Sequence, residues 1–162
     1  MKPGAVHPLI QGDPDLLRFA SEEIQRSFRS DWHDRVFVLN AVREDGLALI
    51  NCDYELRADR DVVIEAVSQN GFALGYVSSI ALWGDREVVF AAARTYGSVL
   101  ELASLELRGD RELVREAVLE DARALKYASE ELRAERGFML PLIERNRDLL
   151  QFASEEIQKS FM

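Results

Sequence analysis

Along the chain, apolar residues come as pairs four places apart, with polar residues between them. Phe37-Val38 is followed by Ala41-Val42, Val62-Val63 by Ala66-Val67, Val88-Val89 by Ala92-Ala93, Leu113-Val114 by Ala117-Val118, and Phe138-Met139 by Leu142-Ile143. Pairs at that interval make one stripe of an α-helix and would fall on both faces of a strand, so each set predicts a helix with one buried side. An acidic residue followed by arginine heads every set: Asp34-Arg35, Asp59-Arg60, Asp85-Arg86, Asp110-Arg111 and Glu135-Arg136, at steps of 25, 26, 25 and 25 residues. An aspartate there suits an N-cap, its carboxylate accepting the amide hydrogens of the first turn at the positive end of the helix dipole.

Each helix is expected to stop near Gly46, Gly71 or Gly97, where glycine can take the left-handed conformation of a C-terminal cap. Ala122 and Arg147 hold that place later in the chain, which predicts a less comfortable turn there. A second, shorter segment of helical spacing follows, marked by Ala48-Leu49, Ala73-Leu74, Val99-Leu100, Ala124-Leu125 and Leu149-Leu150. Leu56, Leu82, Leu107, Leu132 and Ile157 continue it. The segment reads as α or partly 3₁₀, because a serine inside it (Ser78, Ser104, Ser129, Ser154) is a residue that often restarts a turn.

A degenerate further unit stands at the start. Pro8 to Phe28 repeats Pro141 to Phe161 at an offset of 133, including Phe19-Ala20-Ser21-Glu22-Glu23-Ile24-Gln25 against Phe152-Ala153-Ser154-Glu155-Glu156-Ile157-Gln158. The chain therefore reads as a single all-α tandem array of helix-turn-helix units of about 25 residues, at 2–28, 34–58, 59–84, 85–109, 110–134 and 135–162, with 29–33 as a short linker. The two ends keep the same apolar pattern, Leu9, Ile10, Leu16, Leu17, Phe19 and Ile24 at one and Leu142, Ile143, Leu149, Leu150, Phe152 and Ile157 at the other. Neither reads as a dedicated polar cap, so sticky ends are expected.

The run Asp-Arg-acid-Val-Val, Ala-Val and Gly-x-Ala-Leu across residues 59 to 74, with Tyr-Ala-Ser-Glu-Glu-Leu-Arg ending at Arg133, resembles the repeats of the family known as domain of unknown function 4116. Several of these positions recur together in five units, and the resemblance covers nearly the whole chain. It implies a helical array and carries no activity and no functional residue.

Charge narrows the choice of partner. With 29 acidic against 20 basic residues the net charge is -9, which repels phosphate backbones and anionic lipid headgroups, so nucleic acid is not an expected partner. No apolar run approaches the roughly 20 residues that span a bilayer, so no membrane insertion is expected, and a soluble, by default cytoplasmic, protein is. The single cysteine, Cys52, excludes an internal disulfide; its counterparts Val77, Ala103, Ala128 and Ala153 mark it as a small core residue, not a reactive thiol. His7 and His33 have no ligand-like spacing to a carboxylate, so neither a metal nor another cofactor is expected.

The Asp-Arg steps, with Arg57, Arg108 and Arg133 two residues before the next acid, have two readings, a ladder of charge pairs between units and a clamp for an anion. The ladder is favoured, because acid and base recur equally. Paired carboxylates such as Glu130-Glu131 read as a solvated face, without the isolated, environment-shifted acid that general acid catalysis requires.

One place departs from the repeat. After the serine the outer units have Glu22, Glu130 and Glu155, but the central ones have Tyr54, Ile80 (or Ser79, according to where the extra residue falls) and Leu105, and Ile80 is followed by Trp83 within an insertion. Equivalent places lie side by side in an array, so Tyr54, Ile80, Trp83 and Leu105 are candidates for one contact surface. The competing reading folds Trp83 inward over a bulge and packs Leu105 on a neighbouring unit. The functional expectation is a non-catalytic scaffold binding another protein or a second copy of itself. A structural or linker subunit of a larger assembly is the alternative, and an enzyme or small-molecule carrier comes after it.

Overall fold

The computed structural model describes residues 31–161, so the unit at 2–28 and residues 29 and 30 of the linker lie outside the described residues. Within them every element is helical. The long helices are α1 (Arg35–Glu44), α2 (Arg60–Gln69), α3 (Arg86–Ala93), α4 (Arg111–Glu120) and α6 (Arg136–Arg145), and two short ones are α5 (Glu130–Ala134) and α7 (Glu155–Lys159). Each long helix is followed by a 3₁₀ segment: Gly46–Asn51, Gly71–Tyr76, Gly97–Glu101, Ala122–Tyr127 and Arg147–Phe152. The return to the next long helix is a second 3₁₀ turn in the central units (Leu56–Ala58, Ile80–Gly84, Leu107–Gly109), and α5 in the unit before α6.

The acid at the head of each helix caps it as expected, except at the last. Asp59 Oδ1 accepts the amides of Asp61 and Val62 at 3.0 and 3.1 Å, and Asp34, Asp85 and Asp110 do the same for their own first turns. Glu135 makes no such bond; its extra methylene carries the carboxylate out of reach of the amides two and three residues on.

The helix ends are built differently from the sequence expectation. None of the glycines at the junctions adopts a positive φ. The break is made one residue earlier, where Asp45, Asn70, Asp121 and Asn146 lie in an extended conformation (φ between -135° and -149°), each accepting from an amide two residues on and so starting the 3₁₀ segment. The turns at Ala122 and Arg147 have the same dihedrals as those at Gly46 and Gly71, so the turn itself does not require glycine.

What requires glycine is the neighbour. A Cβ on Gly46, Gly71 or Gly97 would run into the carbonyl oxygen of Ala66, Ala92 or Ala117, the small residue in the middle of the next long helix. The buried glycine amide is satisfied at the end of that helix or just beyond it: Gly46 N–H donates to Gln69 Oε1 and Gly71 N–H to Thr95 Oγ1, both at 2.7 Å, and Gly97 N–H to Glu120 Oε2. Glycine is thus paired with an acceptor ten residues after the next unit's acid. At the last junction that rule lapses on both sides, with Ala122 in place of glycine and Arg145, which cannot accept, in place of Gln69. There α4 and α6 approach each other less closely than the earlier helix pairs, and Phe138 and Met139, larger than most of their counterparts, are both fully buried.

The core runs unbroken through the described units. Leu49, Leu74, Leu100 and Leu125, at one place in successive units, are all fully buried, as are Val38, Val63, Val89, Val114 and Met139 at another. One backbone bond also recurs across each junction: Ser78, Ser104, Ser129 and Ser154 donate their N–H to the carbonyls of Arg57, Trp83, Arg108 and Arg133 at 2.9 to 3.2 Å. The hydroxyls of Ser104 and Ser129 accept from Leu107 and Leu132 N–H, the turn-capping role expected of them.

Candidate functional site

The structure separates the polar features into two rows with opposite electrostatic fates. On the first, the arginine after each acid reaches forward to the next unit. Arg60 Nε donates to Asp85 Oδ2 at 2.7 Å and its Nη2 to Glu87 at 2.6 Å; Arg35 holds Asp59 and Asp61, Arg86 holds Asp110 and Glu112, and Arg111 meets Glu135. In Asp59, Asp85 and Asp110 one oxygen, Oδ1, caps the residue's own helix, while the other, Oδ2, accepts from Nε of the preceding unit's arginine. The guanidiniums of Arg35, Arg60 and Arg86 hold the carboxyls of Asp59, Asp85 and Asp110 below the ordinary carboxylate range. The ladder is the outcome of the two readings, and no guanidinium in it is left to clamp an anion. Arg108 and Arg133 take no part; they donate to the main-chain carbonyls of Glu101 and Ala103, and of Ala128 and Phe152.

The second row lies along the serines. Tyr54 is 64%, Ile80 78% and Leu105 81% exposed, the last two being the most exposed large apolar side chains among the described residues. The row is continuous across the first junction, since Tyr54 Oη donates to the Ser78 carbonyl at 3.3 Å while Ser78 Oγ donates to the Tyr54 carbonyl at 2.7 Å. In the following units Glu130 and Glu155 take the place, both exposed.

Trp83 is placed off this row. Its carbonyl accepts Ser104 N–H as the carbonyls of Arg57, Arg108 and Arg133 accept theirs, so its backbone sits where those inward-turned arginines sit. The indole is half-buried against the core, and its Nε1 is buried without an acceptor. The extra residue of the insertion is absorbed before it, at Ser79 to Ala81. Of the four candidates, then, Tyr54, Ile80 and Leu105 are exposed at equivalent places of successive units, whereas Trp83 is turned inward, as the competing reading had it.

Four further exposed apolar places escaped the sequence pattern: Val36 on α1, Leu119 on α4, and Ile50 and Phe72 on the 3₁₀ segments. Phe72 makes edge contacts with Tyr76 and Tyr96 at centroid distances of 6.1 and 5.4 Å. None of the four lies on the α-helical stripe whose spacing was the signal used. Cys52 is buried, and burial, then the neighbouring Asp53, pushes its thiol up to about 12. His33 Nε2 lies 4.0 Å from Asp53 Oδ2. Among the described residues no three His, Cys, Asp or Glu side chains converge as ligands would, and no helix is long and apolar enough to cross a membrane.

At the far end, Leu142, Ile143, Leu149 and Ile157 are buried, against the expectation of a sticky face. Leu150, whose four counterparts are fully buried, is only half-buried, in a shallow hollow of about 360 Å³ lined also by Arg147, Asp148, Gln151 and Gln158. Arg147 stands where a glycine admits the next helix, so this end is more polar than the sequence pattern suggested. The matching N-terminal residues, Leu9 to Ile24, lie outside the described residues.

The family model described as "Domain of unknown function (DUF4116)" matches residues 34–80, 85–133 and 110–158. The chain belongs to this family. Each match is nearly two units long and opens on a capping aspartate, Asp34, Asp85 or Asp110, and the last two overlap at a shift of one unit. No curated protein and no solved structure matches the chain.

Proposed function

We propose that this DUF4116 array is a non-catalytic scaffold that holds another protein along the row of Tyr54, Ile80 and Leu105. The observation that carries the reading is their exposure: three successive units place a large apolar side chain at 64 to 81% exposure where the next two place glutamate. Large side chains held in water at a common place in an array gain nothing for the fold, and apolar patches of this kind mark contact surfaces. Rigidity favours the same role. The units that carry the row are joined by backbone bonds and by the arginine ladder, so a partner meets a surface that loses little conformational freedom on binding.

The test is a pull-down with the intact chain and with Ile80→Glu/Leu105→Glu, in which exposed side chains are changed and the fold, followed by circular dichroism, is expected to hold. Trp83 is left alone because its half-buried indole packs against the core. Loss of specific partners by the double variant is the expected result. Identical partners for both forms would remove the row from the function, and a partner that cannot be separated from the intact chain without unfolding it would favour the structural-subunit reading.

A further inference from the structure

We infer that the occupant of this row is a cationic segment of another protein, with large apolar side chains over Tyr54, Ile80 and Leu105 and lysines or arginines over the glutamates that border and continue the row. This inference rests on the scaffold reading and adds the chemistry of the partner.

Beside and beyond the apolar residues stand Glu55, Glu106, Glu130, Glu131, Glu155 and Glu156, all exposed. Apart from Glu155, which pairs with Lys159 at 3.3 Å, none of them makes an ion pair among the described residues. The acids of the ladder differ sharply, since Asp59, Asp85 and Asp110 are each met by an arginine. Of the arginines two places after Glu55, Glu106 and Glu131, Arg108 and Arg133 are committed to main-chain carbonyls, and Arg57 is half-buried with its Nε enclosed. The molecule therefore neutralises one of its acidic rows internally and leaves the other, the one interleaved with exposed aliphatic side chains, uncompensated.

Charge complementarity then selects among occupants. A second copy would lay a chain of net charge -9 on these same glutamates, and nucleic acid or an anionic membrane would be repelled. A basic polypeptide answers both halves of the surface. The pitch narrows it further: neighbouring units are expected about 8 to 10 Å apart, which a polyproline II segment covers in one three-residue turn at roughly 3.1 Å per residue, and an α-helix in about five to seven residues at 1.5 Å, seven being two turns that return to the same face.

A display library of random 15-residue peptides panned on the full chain tests this. The expected selection is rich in Lys and Arg and has Leu, Ile, Val or Phe at intervals of three or seven. Representative peptides should lose at least tenfold in affinity against both Ile80→Glu/Leu105→Glu and Glu130→Lys/Glu131→Lys, and should weaken as salt is raised. Neutral or acidic selections, no selection, or cationic peptides indifferent to either double variant would overturn the inference. If the Ile80/Leu105 variant still abolishes pull-down of partners while no cationic peptide is selected, the scaffold reading stands and only the chemistry assigned to the partner falls.

Discussion

Replacing Gly71 by alanine sets two physical effects against each other. The backbone at Gly71 is not in the left-handed region, so alanine can adopt it, and by restricting the unfolded chain it would stabilise the protein by about 0.4 to 1 kcal/mol if nothing else changed. The new methyl, however, would meet the carbonyl of Ala92 and come within 3.0 Å of the Cβ of Tyr96, main chain and side-chain root that cannot swing aside. Overpacking of this kind costs about 1 to 3 kcal/mol, and moving α3 away also stretches the 2.7 Å bond from Gly71 N–H to Thr95 Oγ1, worth roughly 0.5 to 1.5 kcal/mol. The net expectation is a loss of about 1 to 3 kcal/mol, read in urea denaturation as a midpoint lowered by roughly 1 M at the usual slope for small proteins. The reverse change, Ala122→Gly, lies where the helices are already apart and should cost no more than about 1 kcal/mol. Gly71→Ala at or above wild-type stability would refute the close-approach account.

Leu125→Ala should lose about 2 to 5 kcal/mol because the side chain is fully buried, whereas exposed Glu130→Ala should be nearly silent; denaturation in the opposite order would mean that the two faces are misassigned. Cys52 should resist alkylation in the native state at neutral pH and react freely once unfolded, and rapid native labelling would contradict its burial. The carboxyls of Asp59, Asp85 and Asp110 lie lower in the folded protein than in the unfolded chain, so the stability they contribute is present above about pH 4, the unfolded value, and is lost as pH falls through their folded values. Arg60→Met should flatten that acid limb in a pH series of melting temperatures, and an unchanged limb would argue that the ladder contributes nothing. The last junction lacks the glycine, the acceptor and the second carboxylate of the earlier ones, so amide hydrogens of α6 should exchange faster than those of α2, and equal protection would count against a looser final step.

The repeat, its helical stripe and the capping acids were legible in the sequence because they depend on local rules: periodicity decides which face is buried, and a carboxylate before a first turn has amides within reach whatever lies around it. Burial of Leu125 and Cys52 followed from comparing units, since equivalent places in an array share an environment. The candidate row was partly legible for the same reason, as Tyr54, Ile80 and Leu105 depart from a glutamate pattern, but the sequence did not decide between the outward and the inward reading of Trp83. One inserted residue shifts every side chain after it, and only the bond from Ser104 N–H to the Trp83 carbonyl shows where the register resumes. The glycines were misread because a local rule for helix ends competes with a non-local one, close approach of the neighbouring helix, and a chain of letters does not record how near that helix comes. Arg35, Arg60, Arg86 and Arg111 stand beside acids in sequence but bind the acids of the following unit. Which carboxylates are neutralised and which are left facing solvent was therefore settled only when the units stacked, because Coulomb interactions act through distance in space and not along the chain.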